Sequence, residues 1–140
     1  MTANENCVCF NLRRASRALS QFMAAELAGH GLLPTQTPIL VILREMPDAT
    51  MAEISQGLGM DRTTLVRNLR PLEREGLVKS SGGGRGTKVS LRLTTKGEAA
   101  LAKLIPDWAK AQRQVVETLG AKRWAEILTD LERAAHALKN

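Results

Sequence analysis

Residues 50–95 read TMAEISQGLGMDRTTLVRNLRPLEREGLVKSSGGGRGTKVSLRLTT, and the order of signals in this stretch decides the fold. Ala52, Ile54 and Leu58 give a short helix an apolar side. Gly57 and Gly59 follow as a tight connection. Asp61 can cap a second helix by accepting hydrogen bonds from its first free amides, and Gly76 can close it in the left-handed conformation. Between these limits Leu65, Leu69 and Leu72 recur at i, i+4 and i+7, the spacing of one buried stripe. A short helix, a glycine turn and a longer helix make the helix-turn-helix pattern, whose second helix enters the major groove of DNA. LVKSS, a loop with four glycines in seven residues (80–86), and KVSLRLT then read as two strands around a flexible tip, a wing. The alternation puts Val89, Leu91 and Leu93 inward and Lys88, Ser90 and Arg92 outward.

The face of the second helix opposite the leucines carries Thr63, Arg67, Arg70 and Arg74, with Thr64 at its edge and Arg62 at the helix start. Arginine matches the two acceptors of a guanine edge, and Asn68 can pair with adenine where its orientation allows. Arg62, Thr63, Thr64, Arg67 and Asn68 are therefore the expected base readers. Arg70, Arg74, Arg85 and Lys88 are the expected phosphate or wing contacts, with Arg85 suited to a narrow minor groove. Pro71, inside the helix, removes one amide donor and crowds the carbonyl of Arg67, so a bend is expected there.

The charge distribution points the same way. From Asp61 to Gly97 nine basic residues face three acidic ones, a surplus equal to the whole chain's +6, while the remainder balances eleven against eleven. A field concentrated in this way attracts a polyanion. The 140 residues suit one domain, and 44% hydrophobic content with 3% aromatic content and no tyrosine implies an aliphatic, mainly helical core. No apolar run approaches the roughly 18 residues of a membrane span. Without a charged-then-apolar leader, the cytoplasm is the expected compartment.

Outside the central stretch, residues 1–6 read as a frayed end. Val8 to about Ala28 forms a first helix with Phe10, Leu12, Leu19, Phe22 and Leu27 on its apolar side and Arg13, Arg14 and Arg17 opposite. Thr35–Met46 forms a second helix, with Pro38 in its first turn. Thr50 with Glu53 has capping-box spacing. Thr95 is the expected cap of a long helix to Leu119 containing Pro106, and a last helix runs from Ala121 to Leu138. Leu101, Leu104, Trp108, Val115 and Leu119, then Trp124, Ile127, Leu128 and Leu131, make stripes too long for one small head to cover. The expected fold is mainly α with a small β-hairpin wing: a winged helix-turn-helix head over 34–97, and a helical dimerisation base from 7–33 and 98–140 that joins two copies as a homodimer.

Cys7 and Cys9 are too close for an easy internal disulfide. They read as idle thiols or as a redox sensor that bridges two chains. His30 and His136 are scattered, so no metal site and no cofactor is expected. There is no nucleophile elbow, and the GGGRG loop lies between strands rather than ahead of a helix, so no enzyme is expected either. A winged-helix module that binds protein is the competing class.

Met60-Asp61-Arg62-Thr63-Thr64 with Leu69, then Leu72-Glu73-Arg74-Glu75-Gly76-Leu77-Val78 and Leu93-Thr94-Thr95-Lys96-Gly97, resemble the MarR family of winged-helix transcriptional regulators. The resemblance covers residues near 10 to 140. It implies a dimer joined through the terminal helices, a palindromic double-stranded DNA operator and often repression. It also implies release by a small, frequently aromatic or phenolic effector, or in other members by thiol oxidation. The chain departs from the family pattern at the wing, where an acidic residue two before an arginine is usual and Arg85 and Thr87 stand instead.

Overall fold

The computed structural model describes residues 5–138; the expected frayed end at 1–4, and residues 139–140 of the expected base, lie outside them. Nine regular elements and one short 3-10 turn follow in order. They are α1 (Val8–Glu26), a 3-10 turn (Ala28–His30), α2 (Thr37–Glu45), β1 (Ala49–Thr50), α3 (Met51–Leu58), α4 (Arg62–Arg74), β2 (Val78–Ser81), β3 (Ser90–Leu93), α5 (Thr95–Leu119) and α6 (Ala121–Ala137). The mainly helical winged architecture agrees with the sequence reading.

The head is organised by its leucines. Leu65, Leu69 and Leu72 of α4 are buried with Ile39, Leu40 and Leu43 of α2, Ile54 of α3, and Leu91 and Leu93 of β3. Thr50 and Glu53 form the reciprocal capping box of α3. Gly59 (φ 60°) and Gly76 (φ 73°) take the left-handed conformation after α3 and α4. At the second stop the amide of Leu77 donates to the Leu72 carbonyl at 2.9 Å, so the chain turns directly from α4 into β2. Helix α4 continues through Pro71, and α5 through Pro106.

Several expectations need correction. Helix α2 begins at Thr37, not Thr35, because the Gln36 side chain accepts from the Leu33 amide at 2.9 Å and holds a separate turn. Gly57 lies inside α3 rather than in the connection, against Ile42, whose Cδ1 would stand 2.6 Å from an added Cβ. Ala52 is exposed. Residues 5 and 6 form a turn whose Glu5 carbonyl accepts from the Asn11 side chain at 3.0 Å. Strand β3 begins at Ser90, two residues later than expected, and Val89 is exposed because the glycine loop places no core beside it. A third strand, β1, pairs antiparallel with β3 (Ala49 opposite Leu91), giving the order β1-β3-β2.

The cap of α5 is Thr94, not Thr95. Thr94 has the extended backbone of a capping residue, and its hydroxyl accepts from the Gly97 amide at 3.0 Å while donating to the Gly76 carbonyl at 2.5 Å. This brings Gly97 against β2: a Cβ there would stand 2.0 Å from the Leu77 carbonyl oxygen. Gly97→Ala is therefore expected to destabilise the fold by about 2–4 kcal/mol, since a backbone carbonyl cannot swing aside as a side chain can. An unchanged denaturant midpoint would show that α5 and β2 can separate enough to admit a methyl group.

The terminal helices are covered differently. Met23 is the one buried residue within α1, and α6 has none. Leu12, Leu19, Leu119 and Leu131 stay 38–49% exposed around an open groove of about 1220 Å³ between α1, α5 and α6. No helix among the described residues is long and apolar enough to cross a membrane.

Candidate nucleic-acid interface

Helix α4 starts on a well-made cap. The Asp61 carboxylate accepts from the Thr64 amide at 2.8 Å and from the Thr64 hydroxyl at 2.7 Å. The amide bond, then the hydroxyl bond, holds the Asp61 pKa below the usual carboxylate value. This geometry fixes the first turn, where Arg62 and Thr63 project, and it draws Thr64 into the cap, half-buried, with its one hydroxyl proton already donated.

The buried stripe leaves Thr63, Arg67, Arg70 and Arg74 exposed on the opposite face. A surface depression of about 360 Å³ there is lined by Arg62, Thr63, Val66, Arg67 and Arg70. None of Arg62, Arg67, Arg70, Arg74, Arg85 and Lys88 is within ion-pair distance of a carboxylate among the described residues. An arginine fork with no acid beside it keeps its donors for an external anion or base edge. Arg85 and Lys88 flank the wing tip, which turns through a Thr87 amide bond to the Gly84 carbonyl at 3.0 Å. A Cβ at Gly82 (φ 87°) would meet the Lys88 carbonyl at 2.4 Å, so glycine alone permits the loop's return.

Asn68 does not join this face. Its Oδ1 accepts from the Thr35 hydroxyl at 2.7 Å and its Nδ2 donates to the Thr64 carbonyl at 2.9 Å. The amide turns to the α2 side, so its orientation does not allow the two-bond adenine contact. The sequence carried the signal: at about 100° per residue, Asn68 lies only about 60° from Leu65, whereas Arg67 lies about 160° away.

Sequence reasoning also missed a clamp beneath the wing. Asp48, at φ 66°, receives both the Nε (2.9 Å) and an Nη of Arg92. The Arg92 hydrogen bond lowers the Asp48 pKa, as the Thr50 amide lowers that of Glu53. Arg92 is thus spent on β3–β1 geometry and is not part of the free cationic surface. The three lowered carboxylates, Asp48, Glu53 and Asp61, set the sign of the pH dependence. Each contributes stability that is present above its unfolded pKa and lost as pH falls through its folded value. The thermal midpoint is expected to hold from neutrality to about pH 5 and to fall below about pH 4, with a shallower acid limb in Asp48→Asn. A midpoint that rises on acidification would contradict these assignments.

Cys7 and Cys9 are free and exposed at the start of α1, where Cys7 Sγ accepts from the Phe10 amide at 3.5 Å. Arg14 lies 5.9 Å over the Phe10 ring. His30 pairs with Asp107 at 2.9 Å, and no group of three or more metal-ligating side chains converges among the described residues.

Residues 30–86 match the family model described as the MarR family. No curated protein sequence matches the chain. Among solved structures, the transcriptional regulator MosR of M. tuberculosis is 36% identical, covers 96% of this chain and 99% of its own, and superposes with a TM-score of 0.83. Its structure in complex with DNA gives 35% identity, 94% and 96% coverage and a TM-score of 0.84. The transcriptional repressor CouR bound to a 23-mer DNA duplex is 27% identical, with 94% coverage of both chains and a TM-score of 0.83. The same repressor bound to p-coumaroyl-CoA is 28% identical, with 100% and 98% coverage and a TM-score of 0.84. With these likenesses spanning both head and terminal helices, the chain belongs to the MarR family of DNA-binding transcriptional regulators.

Proposed function

We propose that the protein is a homodimeric, sequence-specific repressor in the cytoplasm that leaves its palindromic operator when a small molecule binds. The observation that carries the DNA-reading part is the outward face of α4, whose arginines have no acidic partner among the described residues. Arg62, Thr63 and Arg67 read bases, with Thr64 restricted to accepting. Arg70, Arg74, Arg85 and Lys88 hold phosphates or the minor groove. The head is residues 34–97 and the base is 7–33 with 98–140. Two copies cover the open groove of α1, α5 and α6 and set two α4 helices about one helical turn, roughly 34 Å, apart. A 23-mer duplex, as bound by CouR, is about two turns long and accommodates that spacing. The p-coumaroyl-CoA of CouR supports an effector that is an aromatic, phenolic acid or its acyl thioester.

The test is the salt dependence of DNA binding followed by effector titration. A log–log slope near −0.9 for each neutralised phosphate, with release by a hydroxycinnamoyl thioester, supports the proposal. Salt-insensitive binding would favour a protein-interaction module instead.

A second trigger is favoured by the exposure of both thiols at the start of α1. Oxidation of Cys7 with the Cys7 of a second copy, or of Cys9 likewise, removes two thiol hydrogens to an oxidant such as peroxide and leaves a disulfide. The paired Cys7→Ser and Cys9→Ser variant is expected to lose any peroxide-driven release from DNA while keeping effector release. Unchanged peroxide release in that variant would remove the thiols from the mechanism.

A further inference from the structure

We propose that Thr35 and Asn68 form a positioning pair that sets the pose of α4 on DNA, so that Thr35, which is not on the reading helix, tunes sequence discrimination. This rests on the assignment of α4 as the DNA-reading helix. The Thr35 hydroxyl donates to Asn68 Oδ1 at 2.7 Å, and Asn68 Nδ2 donates to the Thr64 carbonyl at 2.9 Å. Thr64 in turn closes the Asp61 cap. One polar path therefore runs from the turn before α2 to the first turn of α4, from which Arg62 and Thr63 project.

The turn that presents Thr35 is itself held. Gln36 is 5% exposed and its side chain accepts from the Leu33 amide at 2.9 Å. Leu32 is buried in the core, and His30, at the upstream end, bonds to Asp107 of α5 at 2.9 Å. The hydroxyl is thus offered by a segment fixed on α5 and on the core. Helix α4 packs on the head through Leu65, Leu69 and Leu72, and directional ties at its far end run from Thr94 to the Gly76 carbonyl and from Lys96 to the Glu75 carbonyl. Apolar contacts define a packing distance better than a rotation about the helix axis. A directional bond at Asn68, flanking that stripe, adds a rotational restraint nearer the N-terminal, DNA-facing half of the helix. A small rotation displaces the tips of Arg62 and Arg67 more than the backbone, because long side chains reach far from the axis.

The experiment uses the full-length protein, an operator selected from random duplexes, and Thr35→Val, Thr35→Ser, Asn68→Ala and the Thr35→Val/Asn68→Ala double variant. Thr35→Val keeps the shape and removes the donor. It is expected to weaken operator binding roughly three- to ten-fold, the effect of one lost hydrogen bond, with random-DNA affinity and salt slope unchanged. The loss of discrimination should spread over the base pairs of the half-site. Thr35→Ser should restore binding, and the double variant should be no weaker than Asn68→Ala alone.

A salt slope reduced by about one in Thr35→Val would make Thr35 a phosphate contact and overturn the proposal. Losses that add in the double variant, or an Asn68→Ala penalty confined to one base pair with Thr35→Val silent, would overturn it in favour of direct reading by Asn68. A wild-type protein with no sequence preference would overturn the reading of α4 itself, an outcome distinct from both.

Discussion

Leu131→Glu is expected to turn a species of twice 15.3 kDa into a monomer and to weaken operator binding roughly 100- to 10,000-fold. Leu131 lines the groove between α1, α5 and α6 and is 39% exposed in the single chain. In the proposed dimer that exposure is covered, so a carboxylate there is buried without a partner, which association does not tolerate. The large effect on DNA follows from linkage. Two heads on one base make the second half-site encounter intramolecular, a gain of roughly 10²–10⁴ without any new contact. A monomer loses that factor while each head stays intact, because Leu131 does not belong to the buried cluster of the head. Light scattering and DNA titration together decide it: a variant that keeps the doubled mass and the operator affinity would place the dimer interface elsewhere.

Arg67→Ala should show the next largest effect, and a different pattern. Arg67 is exposed near the middle of the outward face, about 160° from Leu65, and no carboxylate occupies its donors among the described residues. A bidentate arginine–guanine contact contributes about 1–3 kcal/mol of discrimination. The variant should therefore lose roughly 5- to 150-fold on the operator and far less on random DNA. Lys88→Ala, beside the wing tip, should lower both affinities alike and reduce the salt slope by about one. Equal losses for Arg67→Ala on both DNAs would make Arg67 a phosphate contact.

The parts of this molecule that could be read from sequence are those specified by nearest neighbours along the chain. The i, i+4, i+7 leucines, the Thr50–Glu53 box, the Asp61 cap and the Gly76 stop each involve residues a few positions apart, and the structure contains all of them. What escaped depends on distant partners. Strand β1 is two residues long and exists because β3 pairs with it. Asp48 clamps Arg92 across 44 positions, and Thr35 reaches Asn68 across 33. Thr94 and Thr95 both carry a hydroxyl, so the sequence alone does not separate them as the α5 cap. The choice between them was made by the Gly76 carbonyl, which binds Thr94 from the other end of the wing. Val89 fits the alternation of a strand, yet the strand needs a partner at that level and the glycine loop provides none. Asn68 is the instructive case at the interface. Residue type suggested an adenine reader, whereas its helical angle set it beside the core, where its amide is engaged.

Recovering genomic DNA fragments on the purified protein at physiological salt, and sequencing them, decides whether the protein reads sequence as a dimer. An inverted repeat is expected, with half-sites centred about one helical turn, roughly 10 base pairs, apart. Fragments without a shared sequence would mean that the arginines of α4 bind DNA through charge alone and that the dimeric reader is wrong.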